Sequence, residues 1–162
     1  GVLPPPPVEI CRRALLVGIN YVGTSGELRG CCNDVRKVQA FLMERGWSPA
    51  GVLCLLDEGA PQGAPLPTRA NLLAGMDWLI RGASAGDVLF FHFSGHGGQV
   101  EDAHGDEEDG YDETICPLDF TAAGQISDDE LFERLVRPLP AGCRLTALLD
   151  CCHSGHGMDF PF

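Results

Sequence analysis

Basic residues are scarce in this chain. Of its 162 residues only 11 are Lys or Arg, against 23 Asp or Glu, so the formal net charge is −12. Proteins that bind nucleic acids or anionic membrane surfaces need positive charge to neutralise phosphate groups. We therefore expect no nucleic-acid and no membrane partner. The negative charge favours cationic peptides or divalent metal ions instead.

The apolar runs are also short, and none is long enough to span a bilayer. The first residues have neither the basic segment nor the apolar core of a signal peptide. They contain four consecutive prolines, residues 4–7, which are typical of a polyproline spacer. We therefore divide the chain into a Pro-rich N-terminal segment, residues 1–10, and one folded domain, residues 11–162. That domain is large enough to bury a core.

The chain has eight cysteines, but their spacing lacks the C-x-x-C pairs of a structural zinc site. Four of the cysteines form two adjacent pairs, Cys31-Cys32 and Cys151-Cys152, which suit a disulfide framework poorly. The cysteines are Cys11, Cys31, Cys32, Cys54, Cys116, Cys143, Cys151 and Cys152. We predict free thiols in a reducing compartment, the cytoplasm.

Apolar strand-like segments alternate with amphipathic helical ones along the chain. Strands are predicted at residues 12–19, 52–56, 87–93 and 144–149. Helices are predicted to begin at Asn33-Asp34, at Thr68 and at Ser127. The segment 95–121 is predicted to be irregular, with a short hairpin around residues 111–117. The alternation predicts right-handed crossovers and a mostly parallel sheet in a three-layer α/β fold.

Two motifs follow apolar strands far apart in the sequence. They are Ser94-Gly95-His96-Gly97 and the segment from Asp150 to Gly155. The carboxyl ends of parallel strands share one edge of a sheet, where ligands bind. A histidine and a cysteine at that edge can form a thiol–imidazole pair. Taken singly, the histidine has the simpler interpretation of a turn residue and the cysteine that of a small buried hydrophobe. Taken together, the motifs favour a cysteine hydrolase.

The residues define part of the machinery that such an enzyme needs. His96 is the candidate acid and base, and backbone N–H groups at Gly97 and Cys152 are candidate oxyanion donors. No third member of a triad is evident. Cys151 and Cys152 compete as nucleophile, because consecutive side chains on a strand point to opposite faces. Strand geometry alone does not choose between them.

Carboxylates are concentrated in several loops. The segment 101–113 is rich in Asp and Glu and has no Lys or Arg, which is typical of a solvated loop. Carboxylates from several loops are also the ligands that calcium takes, although the spacing is not that of an EF-hand. Asp34 and Asp150 form a separate pair. If both face the catalytic edge, they make a negative pocket that suits an Arg or Lys side chain.

With these motifs the chain resembles the large-subunit, p20-type catalytic region of a metacaspase, of type I by its Pro-rich start. The resemblance runs from about Arg12 to the last residue and rests on several motifs in order. They are residues 14–21, 28–34, 94–97, 106–119, 127–129 and 149–155. It implies a caspase-like α/β fold with a mostly parallel central sheet that lacks the small-subunit strands. It also implies a calcium-dependent cysteine endopeptidase that cleaves after Arg or Lys.

The resemblance assigns roles to particular residues. The family pattern Asp-x-Cys-His-Ser-Gly makes Cys152 the nucleophile, and His96 matches the general base. Asp34 and Asp150 match the acidic substrate pocket, with Ser94 lining it. The implied calcium ligands are Asp112, Asp128, Asp129 and Asp159.

The resemblance further implies a p10-type small-subunit region as a partner, and this sequence does not contain one. Cys151 also departs from relatives that carry a small polar residue there, and it adds an oxidisable thiol. Two other hypotheses remain. One is a catalytically incomplete caspase-like scaffold or regulatory module. The other is a different cysteine hydrolase on the same topology, with another preference for the residue before the cleaved bond.

Overall fold

The computed structural model describes residues 1–7, 9–101 and 111–152, with only the backbone of Cys152. This part of the chain has six strands and four α-helices. The strands are β1 (Arg12–Gly18), β2 (Val52–Leu56), β3 (Val88–Glu101), β4 (Tyr111–Ile115), β5 (Ile126–Ser127) and β6 (Arg144–Cys152). The helices are α1 (Cys31–Glu44), α2 (Arg69–Ile80), α3 (Phe120–Ala123) and α4 (Asp128–Leu131). A π-helical turn, Phe132–Val136, continues α4.

The strands form a mostly parallel sheet, as the sequence predicts. Its order is β2-β1-β3 with β6 on the other side of β3, and all of these pairs are parallel. The second half of β3 pairs with β4, and β4 with β5, both antiparallel. Parallel neighbours need crossover connections, which α1 and α2 supply. The predicted hairpin near residues 111–117 is therefore formed by β3 and β4.

Helices cover both faces of this sheet and give it three layers. On one face, Leu16 of β1 packs with Val35 and Leu42 of α1. On the other, Phe91 and Phe93 of β3 pack with apolar residues of α2 and the π-helical turn. None of the helices in the described ranges is long and apolar enough to cross a membrane.

One large apolar residue of α1 lies outside the core. Phe41 is 49% exposed, and the Arg45 guanidinium carbon lies 3.5 Å from its ring centroid. The cation–π contact covers a ring that the sheet does not reach.

The strand ends predicted from the sequence are wrong at both motifs. β3 continues through Ser94-Gly95-His96-Gly97 to Glu101, and β6 continues to Cys152. Pairing supplies the reason, because β4 and β6 take up the backbone hydrogen-bonding groups that a turn would leave free. Both motifs therefore lie on strands, where their relative positions are fixed by register.

The predicted cap of α1 at Asn33-Asp34 is also wrong. The helix begins at Cys31, and both residues lie in its first turn. Oδ1 of Asn20, from the loop after β1, accepts hydrogen bonds from the N–H groups of Gly30 and Cys31 at 3.3 and 3.0 Å. By contrast, the predicted caps of the next helices are confirmed: the hydroxyls of Thr68 and Ser127 accept from Asn71 N–H and Glu130 N–H.

Candidate active site

The candidate nucleophile and the candidate base lie on neighbouring parallel strands. The register of β3 and β6 pairs Ser94 with Asp150, Gly95 with Cys151, and His96 with Cys152. Strands paired in this way lie about 4.8 Å apart. The sheet therefore holds the backbone of Cys152 directly beside His96.

Cys151 is directed into the core. It packs, partly buried, against the cluster that contains Phe93 and Cys116, on the α2 face of the sheet. Burial raises the pKa of Cys116 to about 11, and Cys151 adds to that rise. Cys116 therefore stays protonated at neutral pH, and Cys151 packs against the same apolar cluster.

His96 is buried and oriented by a backbone carbonyl. It is 4% exposed, and its Nε2 lies 2.6 Å from the carbonyl oxygen of Gly26. A carbonyl only accepts hydrogen bonds, so Nε2 carries the proton in the neutral ring and Nδ1 is left as the acceptor. Gly26 thus fills the orienting role for which sequence inspection finds no residue.

The Tyr21 side chain packs against His96 and bonds to its backbone. The two ring centroids are 4.7 Å apart. The tyrosine hydroxyl accepts a hydrogen bond from His96 N–H at 3.0 Å and donates one to the Cys116 carbonyl at 2.5 Å. Tyr21 also has a φ of 51°, in the left-handed region that non-glycine residues seldom adopt. Backbone strain of this kind collects at functional sites, where surrounding contacts hold it.

Asp57, directly after β2, supplies those contacts. Its two carboxylate oxygens accept hydrogen bonds from Asn20 N–H and Tyr21 N–H, at 2.8 and 2.7 Å. Its Oδ1 also lies 3.2 Å from the Cys32 sulfur. The pKa of the Cys32 thiol is raised to about 11, first by burial and then by this carboxylate. Cys32 therefore remains a thiol that donates to Asp57.

The backbone of Gly97 is placed suitably for an oxyanion donor. His96 directs its N–H and carbonyl towards the β4 side, where they meet Tyr21 and Cys116. Because backbone groups alternate along a strand, the Gly97 N–H points to the β6 side. That is the side on which Cys152 lies.

Three residues form what we call the acidic pocket: Asp34, Ser94 and Asp150. Asp34 lies in the first turn of α1, and its Oδ2 is 3.5 Å from the Ser94 hydroxyl. Ser94 is paired with Asp150 across the sheet. Asp34 is half-buried and Asp150 is exposed. The structure therefore brings these predicted residues together, two positions along β3 from His96.

His92 lies on β3, two residues before Ser94, and is buried. It is 2% exposed, and within the described chain its Nδ1 has no hydrogen-bond partner. Burial lowers the pKa of His92 from its usual value, while Asp150 and Asp34 act in the opposite direction. His92 therefore stays neutral at physiological pH, although two carboxylates lie within electrostatic range.

The predicted calcium carboxylates are brought together only in part. Asp112 lies on β4 and is buried, at 6% exposure. Asp128 and Asp129 begin α4, directly after Ser127, which pairs with Thr114 of β4. Asp159 lies outside the described residues. The donor chemistry suits calcium, but the described ranges contain no group of three acidic, His or Cys side chains that could hold a metal ion.

A separate cleft of about 660 Å³ opens beside the start of α1. Its charged lining comes from Glu27, Arg29, Arg36 and Glu58. The lining thus carries two acidic and two basic side chains. His96, Ser94 and Asp150 are not in its lining.

Comparison with known proteins identifies the family. Residues 12–161 match the family model described as the metacaspase, peptidase C14 domain. The chain belongs to the metacaspase family. This is a family of cysteine-type peptidases, and its fold is caspase-like.

Curated relatives agree with this membership. The chain is 58% identical to Metacaspase-1 of Mycosarcoma maydis and 55% identical to Metacaspase-1 of Schizosaccharomyces pombe. In both comparisons 93% of this chain is covered, but only 37% and 36% of the relative. The chain thus spans about a third of the length of the curated relatives it matches. A crystal structure of a structural-genomics target from Geobacter sulfurreducens superimposes with a TM-score of 0.68 at 35% identity, covering 89% of this chain and 51% of that one.

Four residues in and around the candidate site are not identified from the sequence: Gly26, Tyr21, Asp57 and His92. Gly26 acts through its backbone, which leaves no side-chain signal. Tyr21 and Asp57 follow the ends of β1 and β2. Their positions at the carboxyl edge of the sheet, where ligands bind, are the feature of the sequence that could have identified them. His92 lies inside an apolar strand, where a lone histidine is most simply a core residue.

Proposed function

We propose that the metacaspase to which this chain belongs is a cysteine endopeptidase whose chemistry is carried out by Cys152 and His96. The Cys152 thiol gives its proton to Nδ1 of His96, and the thiolate attacks the peptide carbonyl. The imidazolium then donates that proton to the leaving amine, and water releases the acyl group. The observation that supports this most strongly is the Nε2–Gly26 contact of 2.6 Å, which leaves Nδ1 as the acceptor on a residue that is paired with Cys152 across the sheet.

The N–H groups of Gly97 and Cys152 would stabilise the oxyanion that forms during attack. A lost oxyanion donor costs about 10²–10³ in kcat in enzymes of this kind. The rigidity of two paired strands supports the role, since a preformed donor does not have to be oriented during the reaction.

The acidic pocket would bind the side chain before the cleaved bond. Asp34 and Asp150 offer carboxylate oxygens on either side of Ser94, and no cation neutralises either carboxylate among the described ion pairs. Arg pairs with carboxylates through two parallel hydrogen bonds, and Lys pairs as a point charge. We therefore infer cleavage after Arg or Lys.

Calcium would bind through Asp112, Asp128, Asp129 and Asp159. Three observations support the first three: burial of Asp112, the pairing of β4 with β5, and the position of Asp128-Asp129 directly after β5. Calcium bound there would neutralise carboxylates beside the second half of β3. Titration calorimetry of the wild type and of Asp112→Asn tests this, with Asp77→Asn as a remote control. Equal calcium affinity in all three would contradict the assignment.

A p10-type region is the partner that would complete the sheet. In the described chain β6 is paired on one edge only, by β3. Leu148 and Leu149 are 46% and 47% exposed. Consecutive residues point to opposite faces of a strand, so each face of β6 has one half-exposed leucine. Added strands would pair with its open edge and cover these leucines.

Peptide cleavage tests the proposal. Fluorogenic peptides ending in Arg, Lys, Asp or Asn would be incubated with the full chain, with and without millimolar calcium. We expect calcium-dependent cleavage after Arg and Lys that is lost in Cys152→Ala and retained in Cys151→Ala. Cleavage that survives in Cys152→Ala would overturn the nucleophile, and preference for Asp or Asn would overturn the pocket. Absence of cleavage in every arm would favour the scaffold hypothesis.

A further inference from the structure

His92 is a buried polar residue that the proposed reaction does not use. It lies on β3, paired with Leu16 on one side and Leu148 on the other. His96 is four positions further along the strand, which corresponds to about 13 Å. His92 is therefore too distant to exchange a proton with Cys152.

His92 lies next to the acidic pocket along β3. His92 and Ser94 are two residues apart on β3, so their side chains share one face of the sheet. Both Asp34 and Asp150 exert an electrostatic influence on its ring. The imidazole is thus a buried group on the same face of β3 as Ser94, within electrostatic range of both carboxylates.

An unpaired ring nitrogen at this depth requires an explanation, because buried polar atoms are nearly always hydrogen-bonded. Within the described chain Nδ1 of His92 has no partner, and the residue is only 2% exposed. Burial keeps the ring neutral, and in the tautomer with its proton on Nε2 the unpartnered Nδ1 is an acceptor. A cationic donor entering the pocket would supply the missing hydrogen bond.

The contact between Asp34 and Ser94 is weak. The contact between Asp34 Oδ2 and the Ser94 hydroxyl is long, at 3.5 Å, which is the limit for a hydrogen bond. A bound cation would compete for Asp34 and release Ser94. Ser94 is the next residue after His92 on this face of β3, so its release is the step that would give a cation access to the His92 ring.

We infer that His92 is a specificity-determining residue whose Nδ1 accepts a hydrogen bond from the guanidinium of an arginine side chain held between Asp34 and Asp150. A guanidinium has five N–H donors in a planar fork, so it can bond both carboxylates and the imidazole together. An ammonium has three donors on one atom and reaches fewer acceptors at once. His92 therefore favours Arg over Lys. This inference rests on the proposed basic specificity of the acidic pocket.

Binding of two small cations to the full chain tests the inference without requiring cleavage. Agmatine carries the guanidinium and 1,5-diaminopentane is the ammonium probe. Calorimetry would give affinities for the wild type, His92→Leu and His92→Asn. The leucine removes the acceptor, while the asparagine amide stands close to the Nδ1 position and retains it. In parallel, ¹⁵N NMR of the His92 ring would be followed during agmatine titration.

We expect agmatine to shift the His92 ring ¹⁵N resonances. We also expect His92→Leu to weaken agmatine about tenfold, as for loss of one hydrogen bond to a charged group. His92→Asn should stay within about threefold of the wild type, and 1,5-diaminopentane should change less than agmatine.

Two results overturn the inference, and a third overturns its foundation. If the wild type binds agmatine and His92→Leu binds it equally well, the acidic pocket binds cations but His92 does not contribute to their binding. If His92→Leu does not fold, an unshifted ring resonance of the wild type at agmatine saturation equally excludes that role. If the wild type binds neither cation, or Asp150→Asn binds both as well as the wild type, the proposed basic pocket itself fails.

Discussion

The Tyr21 hydroxyl lies between the backbone N–H of His96 and the carbonyl of Cys116, bonding to both. His96 and Cys116 stand opposite each other where β3 meets the end of β4, and the Cys116 N–H already donates to the His96 carbonyl at 3.0 Å. The hydroxyl thus replaces the second hydrogen bond that an antiparallel pair would exchange. Burial raises the pKa of Tyr21 well above its usual value, so the phenol keeps the proton it donates.

Replacement of Tyr21 by Phe should destabilise the fold. The change leaves His96 N–H and the Cys116 carbonyl without this partner, and a buried unsatisfied group costs about 1–3 kcal/mol. Guanidinium unfolding measures the loss. Tyr111→Phe is the matched control, because Tyr111 is the other tyrosine and is 48% exposed. Equal stability of the two variants would contradict the bridging role.

Gly95 is predicted to tolerate no side chain. A Cβ at this position would lie 2.8 Å from the Phe93 ring and 2.9 Å from the Tyr21 hydroxyl. Gly95→Ala should therefore displace Tyr21 and cost about 1–3 kcal/mol, as overpacked cores do. Gly30→Ala is the control, since its Cβ would meet nothing within 4 Å. A thermal melt in which both variants match the wild type would exclude this close packing.

Asp57 is predicted to hold the loop that carries Tyr21 and Gly26. An asparagine at this position has only one oxygen for the two backbone N–H groups that Asp57 now accepts. Hydrogen exchange at Asn20 and Tyr21 should accelerate about tenfold or more in Asp57→Asn, as expected for a lost charged hydrogen bond. Asp77→Asn, at a 56% exposed surface carboxylate, is the control. Unchanged exchange at both amides would show that other contacts hold the loop.

Asp87, directly before the start of β3, is predicted to make the stability of the fold depend on pH. Its carboxylate accepts from Cys11 N–H at 3.0 Å and from Ser84 N–H at 2.9 Å, and these hydrogen bonds lower its pKa. A lowered folded-state pKa stabilises the protein above the unfolded-state value, about 3.9 for Asp. This stability is lost as the pH falls through the folded-state pKa.

The matching experiment is urea unfolding of the wild type and Asp87→Asn at pH 7, 5 and 3. We expect the wild type to be more stable by about 1–3 kcal/mol at pH 7, with a gap that narrows at pH 3. A gap that stays constant over the series would mean that the charge of Asp87 contributes nothing.

The sheet is predictable from the sequence because its main strands are apolar runs separated by amphipathic helices. Four of the six strands in the described chain follow this pattern. The other two, β4 and β5, are polar or very short, and they form only because the second half of β3 offers an edge. Local sequence does not contain that information, which is why the turn-forming residues from Ser94 onward predict an end of β3 that the structure does not have.

The part of the candidate site that is formed by side chains at strand ends is predictable from the sequence. The part that depends on backbone groups of a distant loop is not. His96, Asp34, Ser94 and Asp150 come together as expected. The orientation of His96 depends on the Gly26 carbonyl and the Tyr21 hydroxyl, and both come from a loop whose path is set by Asp57. Contacts among three separated segments are tertiary, so no local pattern predicts them.

The most direct test of the Cys152–His96 pair is thiol alkylation, which needs no substrate. Iodoacetamide would be added at pH 7, and the rate at each cysteine followed by peptide mass spectrometry in the wild type and in His96→Ala. Burial raises the pKa values of Cys54 and Cys116 to about 11, so these thiols provide slow internal references. We predict that Cys152 reacts fastest in the wild type and is slowed about tenfold or more in His96→Ala, because the thiolate loses its imidazole partner. Equal rates at Cys151 and Cys152, or a Cys152 rate indifferent to His96, would contradict the pair.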